Sequence, residues 1–289
     1  MRMMAFYGKG GIGKSTVVTN LSILFARAGR RVLQFGCDPK SDSCHSMVRG
    51  RVVTVMDEWL QRGEADLKLE HCLMRGPHGV ECIEVGGPTP GSGCGGRGIT
   101  KAFELVGDPG ALRERYDIIL FDVLGDVVCG GFSAPMRSGY AEEVYIVTSG
   151  EIRSLYAANN ISHAVRNNSR NGVRLGGLIG NLRGGSDERK LIGRLAEELG
   201  SRVIHHIPRD KAVQAAERKR TPCVEFDAKS PAGRAFAALW ERVDRLRAAD
   251  LCVPRPLAPS EFDRIFLASD QSGSSPASSR WRKRPPQVR

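Results

Sequence analysis

Gly8-Lys9-Gly10-Gly11-Ile12-Gly13-Lys14-Ser15, GKGGIGKS, is the stretch that decides how this chain folds. It has a glycine, four residues, then Gly-Lys-Ser, which is the phosphate-loop pattern. Such a loop works because glycines let successive backbone N–H groups turn inward on phosphate oxygens, a geometry a Cβ would obstruct. Lys14 is placed to meet the β and γ phosphates and Ser15 to ligate Mg²⁺. The positive end of a following helix adds to the cradle. The context agrees. An apolar run, Met3–Tyr7, precedes the loop, and Lys14–Arg27 follows with Val17, Leu21, Leu24 and Phe25 on one helical face.

Working outward, Gly29 ends that helix and Arg31–Phe35 reads as the next strand, so the chain opens with a strand–loop–helix–strand unit. Further strands are expected at Val80–Val85, Ile118–Asp122, Val144–Thr148, Leu175–Asn181 and Val203–Ile207. Each is a short apolar run with little alternation, as strands covered on both faces require. Helical spacing appears in Gly98–Val106, Ile152–Asn167, Glu188–Leu199, Ala212–Lys219 and Ala232–Leu246. Alternating strands and helices predict an α/β fold, a single doubly wound domain with a mainly parallel sheet. That domain is expected over residues 1–267. Residues 268–289 (ASDQSGSSPASSRWRKRPPQVR) form a basic Ser/Pro-rich tail. Its apolar content is too low to offset the entropy of ordering, so disorder is expected there.

The formal net charge is +11, and the tail, with five basic residues and one acidic, carries +4 of it. A basic surface suits nucleic acid, an acidic partner or plain solubility. There is no helix-turn-helix pattern and no interleaved aromatic–basic stretch, so nucleic acid is not the expected partner. No run approaches the roughly 18 apolar residues of a membrane span. The apolar start leads directly into the phosphate loop rather than a cleavage site, so a cytoplasmic location is expected.

Two acidic stations flank the loop in the expected fold. Asp38 and Asp42 lie in GCDPKSDS, and Asp122 closes IILFD, with Gly125 and Asp126 following in DVLGD. An aspartate at a strand's carboxyl end beside a phosphate loop suits holding Mg²⁺ or positioning water. Its plainer reading is a helix cap or a turn.

The eight cysteines, in a chain expected to be cytoplasmic, point away from a disulfide framework. Cys37, Cys44, Cys72, Cys82, Cys223 and Cys252 read as small residues in apolar or mixed surroundings. Cys94, in PGSGCGGRG, and Cys129, in DVVCGGF, differ because glycines frame both. Backbone N–H groups can there reach cluster sulfides. A 4Fe–4S cluster takes four thiolates. Two such cysteines supply half a site, and a symmetric dimer supplies the rest if both lie at its two-fold axis. No CxxC pair is present, which counts against a self-contained zinc or cluster site. Asp122–Cys129 is one short segment, so a change at the γ-phosphate can move the second thiolate.

Together these segments resemble the nitrogenase iron-protein family. The matching stretches are YGKGGIGKS (Tyr7–Ser15), GCDPKSDS (Gly36–Ser43), GGPTPGSGCGGRG (Gly86–Gly98), DVLGDVVCGGF (Asp122–Phe132), YAANNIS (Tyr156–Ser162) and IPRD (Ile207–Asp210). The KGGIGK loop also resembles that of the deviant-Walker nucleotide hydrolases, which dimerise around ATP. Their division-site and partition members share this motif but lack the glycine-framed cysteines. The resemblance implies a homodimer with one 4Fe–4S cluster held by Cys94 and Cys129 of each subunit. It implies one MgATP per subunit over Gly8–Ser15, with Asp38, Asp122 and Asp126 assisting and Lys9 reaching the partner's nucleotide. It places Asn181 and the segment Pro208–Glu217 (Pro208, Arg209, Asp210, Gln214 and Glu217 within it) at the adenine. Arg97 falls on the docking face, and in some family members that arginine is ADP-ribosylated. The implied activity is ATP-dependent delivery of low-potential electrons, received from ferredoxin or flavodoxin, to a larger heteromeric nitrogenase-like catalytic component.

Arg97, GGLIGNLR and the YAANNIS helix follow the nitrogenase pattern. The basic charge, the CGGRG around Cys94, the VLQFGCDPK strand end and the SCHS after Asp42 depart from it. The resemblance therefore favours a nitrogenase-like reductase component such as that of methylthio-alkane reductase. The alternatives are nitrogenase proper and the protochlorophyllide or chlorophyllide type, with a positioning ATPase the most remote.

Overall fold

The computed structural model describes residues 1–87, 96–106, 109–125, 133–137 and 139–267. Among the described residues eight strands form one sheet: β1 (Arg2–Tyr7), β2 (Val32–Gly36), β3 (Met74–Arg75), β4 (Glu81–Glu84), β5 (Ile118–Asp122), β6 (Glu143–Thr148), β7 (Arg174–Asn181) and β8 (Val203–Ile207). Their order is β3-β4-β2-β5-β1-β6-β7-β8. Every pairing is parallel except β3 with β4. The expected doubly wound α/β fold is the one observed. Helices run over Lys14–Arg27 and Ile152–Asn167, the very bounds their apolar spacing indicates. The helix Val55–Arg62 and the edge strand β3 carry too few periodic apolar positions to be read in advance. The first of these is started by Thr54, whose Oγ1 accepts the Asp57 N–H at 3.0 Å.

The chain forms two compact units, Met1–Leu257 and Ala258–Arg289. The described part of the second is the helix Pro259–Phe266, where Glu261 accepts the Ala258 N–H at 2.9 Å. No described helix is long and apolar enough to cross a membrane.

Side chains of successive strand residues point to opposite faces, so each face of a central strand needs its own cover. On one face Met4 and Phe6 of β1, Leu120 of β5 and Val147 of β6 bury with Val17 and Leu21 of the Lys14–Arg27 helix. Phe236, Leu239 and Val243 of the helix Pro231–Arg245 complete that layer. Removing one large side chain from such a layer costs about 3–5 kcal/mol. A second cluster joins Phe35 of β2 and Phe121 of β5 to Phe103 and Tyr140, with Phe35 and Phe103 stacked at 5.2 Å.

Register then brings distant residues together. Asp122 lies level with Phe6 of β1 on one side and Gly36 of β2 on the other. Its carbonyl accepts the Cys37 N–H at 2.8 Å, and Val123 donates to the Phe6 carbonyl at 3.2 Å. The loop after β1, the turn after β2 and the end of β5 therefore converge at the carboxyl end of the central strands. At the far side Asn181 is level with Ile207, which sets the start of the PRD segment beside the end of β7.

Candidate nucleotide site

Gly13 enters the Lys14–Arg27 helix with φ 99°, a left-handed conformation that favours glycine. There is no room for a side chain either, since a Cβ would lie 2.5 Å from Asn181 Nδ2. That amide instead donates to the Ile12 carbonyl at 2.7 Å, tying β7 to the phosphate loop. On the other flank Gly125 packs directly on the Lys9–Gly10 backbone, where a Cβ would collide with the Gly10 nitrogen.

Two cavities open along the loop and share Gly11, Gly13, Thr16, Val213 and Glu217 as walls. The one of about 370 Å³ holds Lys14, Ser15, Asp38, Asp42, Ser43 and Asp122. The other, about 280 Å³, holds Asn181, Arg183, Pro208, Arg209, Asp210 and Gln214. Gly10 and Gly11 therefore line the first, while Gly8 and Ile12 support the loop from beneath, Ile12 in the core. Lys9 is half-buried, and its carbonyl accepts the Ile12 N–H at 3.1 Å.

Charge in the first cavity is poorly balanced. Lys14 is buried, with Nζ 3.5 Å from the Lys9 carbonyl. Burial pulls its pKa down, against the opposing pull of Asp122, Asp38 and Asp42. Asp122 is buried too, and desolvation pushes its carboxyl up although Ser15, Ser43 and Lys14 favour the charged form. Both shifts have the sign that anionic phosphate beside Lys14 and a dication beside Asp122 would reverse. The donor set, a lysine ammonium, loop N–H groups, a serine hydroxyl and carboxylates, fits MgATP. Asp38 is half-buried and turns its carboxylate to the Lys40 N–H at 3.0 Å, while Asp42 is exposed at the rim.

In the second cavity Asp210 has a structural task. One carboxylate oxygen accepts the Ala212 N–H and the other the Ala232 N–H, both at 2.9 Å, so it caps one helix and fastens the start of the helix Pro231–Arg245. Gln214 and Glu217 are exposed on the helix Lys211–Arg218, and Thr16 donates to Glu217 at 3.4 Å. Arg209 donates to the Arg183 carbonyl at 3.1 Å.

Cys94, Asp126 and Cys129 lie outside the described residues, as does the side chain of Arg97. The described cysteines are free thiols, five of them buried and Cys252 partly so. Among the described residues no group of three or more His, Cys, Asp and Glu is arranged to hold a metal ion.

Four contributors are absent from the expectations above. Gln34, fully buried in β2, donates to the Ser43 hydroxyl at 2.9 Å, and Ser43 in turn supports Asp122. Arg183 donates to the Gly11 carbonyl at 2.6 Å. Glu188 holds Arg183 in place by accepting its N–H at 2.8 Å and that of Gly184 at 3.0 Å. A lone amide inside the apolar strand VLQFG was the signal for the first of these. The rest depend on long-range register and leave none.

A parallel sheet with this loop at the carboxyl end of β1 defines the fold of the phosphate-loop nucleotide hydrolases. Solved structures share the fold: MinD from Pyrococcus horikoshii complexed with Mg-ADP superposes with a TM-score of 0.68 at 23% identity, over 85% of this chain and 97% of that one. The cell-division ATPase MinD of Pyrococcus furiosus gives 0.68 at 21% identity, over 86% of this chain and 100% of that one. The family described as 4Fe-4S iron sulfur cluster binding proteins, NifH/frxC family, matches residues 2–271. A nitrogenase iron protein from Methanospirillum hungatei JF-1 is 47% identical over 269 residues, covering 92% of this chain and 95% of the relative. The chain belongs to the NifH/frxC family of 4Fe–4S iron–sulfur cluster-binding proteins. Its cofactors are a 4Fe–4S cluster and MgATP.

Proposed function

We propose that this chain is the ATP-hydrolysing electron-donor component of a nitrogenase-like reductase. It works as a homodimer that receives electrons from ferredoxin or flavodoxin and delivers them to a larger heteromeric catalytic partner. The observation that carries this reading is the packing of Gly125 on Lys9–Gly10. The segment that starts at Asp122 lies against the phosphate loop, and in sequence it reaches Cys129 four residues beyond Gly125. A phosphate arriving or leaving at that loop pushes directly on the segment that carries the cysteine.

In this reading Gly8–Ser15 holds the phosphates, with Lys14 on the β and γ groups and Ser15 and Asp122 on Mg²⁺. Asp38 orients the attacking water, and Asp126 responds on the same segment as Asp122. Water attacks the γ-phosphorus, the bond to the β–γ bridging oxygen breaks, and ADP leaves with that electron pair. Lys9 reaches the nucleotide of the partner subunit. Asn181, Pro208, Arg209, Asp210, Gln214 and Glu217 frame the base, with Asp210 acting through its helix caps. Cys94 and Cys129 of both subunits hold the 4Fe–4S cluster, which supplies one-electron chemistry when bound. Arg97 sits on the docking face.

For the reductase system, the chain's basic charge and its departures around Cys94 and Asp42 support a component outside the nitrogen-fixing set, such as that of methylthio-alkane reductase. The relative named nitrogenase iron protein supports nitrogenase proper as the second reading. The subunits that copurify with the chain decide between them. For the cluster, Cys94→Ser or Cys129→Ser should abolish the brown chromophore while leaving MgATP binding largely intact. A variant dimer that keeps four irons would defeat the assignment.

A further inference from the structure

Ser43 and Cys44 are gripped from two sides by buried polar side chains on adjacent strands. On β2, Gln34 accepts the Ser22 hydroxyl at 2.8 Å and donates to the Ser43 carbonyl at 3.0 Å and hydroxyl at 2.9 Å. On β4, Glu84 is equally buried, and its Oε1 accepts the Cys44 N–H at 2.5 Å. Among the described residues its Oε2 has no hydrogen-bond partner.

A buried carboxyl left half-satisfied is costly. Its location is correspondingly specific. Oε2 lies against Gly36, where any Cβ would collide with it. The Glu84 backbone also pairs in parallel with that of Thr54, the cap of the helix Val55–Arg62. Backward from Cys44 the chain passes through Ser43, which supports Asp122, to Asp42 and Asp38. Forward from Glu84 it runs through Val85–Gly87 toward Cys94. One carboxyl thus stands where the nucleotide-side segment and the strand leading to the first glycine-framed cysteine meet.

We propose that Glu84 is a positioning residue that sets Ser43 against Asp122 and couples the Asp38–Cys44 segment to the strand that leads to Cys94. This rests on the ATP-hydrolysing reading above. Only ATP presents a γ-phosphate to that segment, so loosening the grip weakens the response to ATP more than to ADP.

The test measures ATP and ADP affinities, steady-state hydrolysis and backbone hydrogen exchange on wild-type chain and variants. Glu84→Ala should lower the ATP-to-ADP affinity ratio and kcat by about tenfold, the size of one lost buried hydrogen bond to a charged or acidic partner. The Cys44 amide should also exchange faster. Glu84→Gln should restore all three, because its amide oxygen can accept the same N–H. Gly36→Ala, whose Cβ would meet both the carboxyl and the Ser43 Cβ, should reproduce Glu84→Ala and carries the test if that variant does not fold, while Gly36→Ala made on Glu84→Gln separates the carboxyl from the direct push on Ser43. A folded variant with a lower melting temperature but an unchanged ATP-to-ADP ratio would overturn the proposal, as would unchanged exchange at Cys44. Failure of the wild-type chain to bind MgATP would instead strike the underlying reading.

Discussion

The two ends of the nucleotide cavity are built differently. At the phosphate end the working groups belong to the core: Lys14, Asp122, Ser43 and Gln34 are buried, and strand register sets their positions. At the end proposed for the base Arg183, Arg209 and Gln214 are exposed, and one buried carboxylate, Glu188, holds the loop that carries Arg183. In the proposed function, charge handling is thus placed where solvent cannot screen it, and base contact where single side chains compete with water. If that contrast is real, perturbations should have large effects at the first end and graded ones at the second.

The largest effect is expected at Lys14. Lys14→Met removes the buried ammonium beside Asp122 and should lower phosphate release from ATP by about a thousandfold or more. Binding through the base end should persist. A loss below tenfold would mean that the phosphate end does not depend on its buried charge.

The same burial makes a prediction about pH. Desolvation pushes the Glu84 carboxyl up to about 8 from its ordinary 4.5. The native state therefore keeps a proton that the unfolded chain releases, and stability falls as pH rises through that window. Between about pH 6 and pH 8 the Glu84 contribution amounts to roughly 2 kcal/mol. Urea unfolding of nucleotide-free protein should show that fall, and Glu84→Gln should flatten it. Asp122, shifted the same way by burial, keeps some slope in the variant. Equal slopes for wild type and variant would remove Glu84 as its source.

The contrast also explains what could be read in advance. Apolar runs and one glycine loop were sufficient to place the strands β1 and β5 and the Lys14–Arg27 helix, because local pattern determines them. From there Lys14, Ser15 and Asp122 follow as neighbours. Glu84 did not, since VECIEV reads as a strand and nothing local says that its second glutamate meets Cys44 in the turn after the neighbouring strand β2. Glu188 and Arg183 were hidden for a related reason: a surface loop held by a backbone-accepting carboxylate looks like any polar turn. Cys94 and Cys129, legible from their glycine frames, lie outside the described residues, so the cluster end rests on sequence and family alone.

At the base end, Glu188→Ala should act on affinity rather than chemistry. It removes the acceptor of the Arg183 and Gly184 N–H groups, freeing the loop beyond Asn181. A carboxylate accepting backbone N–H groups is worth roughly 1.5–3 kcal/mol, so ATP and ADP affinity should both fall at least about tenfold. The hydrolysis rate at saturating ATP should stay near wild type. A collapse of that rate instead would show that the two ends are mechanically one.

The smallest effect is expected at Arg183, and its size is the sharper measure of how the base end is made. Its guanidinium is exposed, and the bond to the Gly11 carbonyl at 2.6 Å is its one direct hold on the phosphate loop. Water can replace that bond when the side chain is cut back, and nearby phosphate charge is screened within about 8 Å at physiological salt. Arg183→Ala should therefore weaken ATP and ADP binding by only about threefold. The difference from wild type should shrink as salt is raised, because what is lost is surface electrostatics. A hundredfold, salt-independent loss would place Arg183 in a desolvated site, and the base end would then be built like the phosphate end.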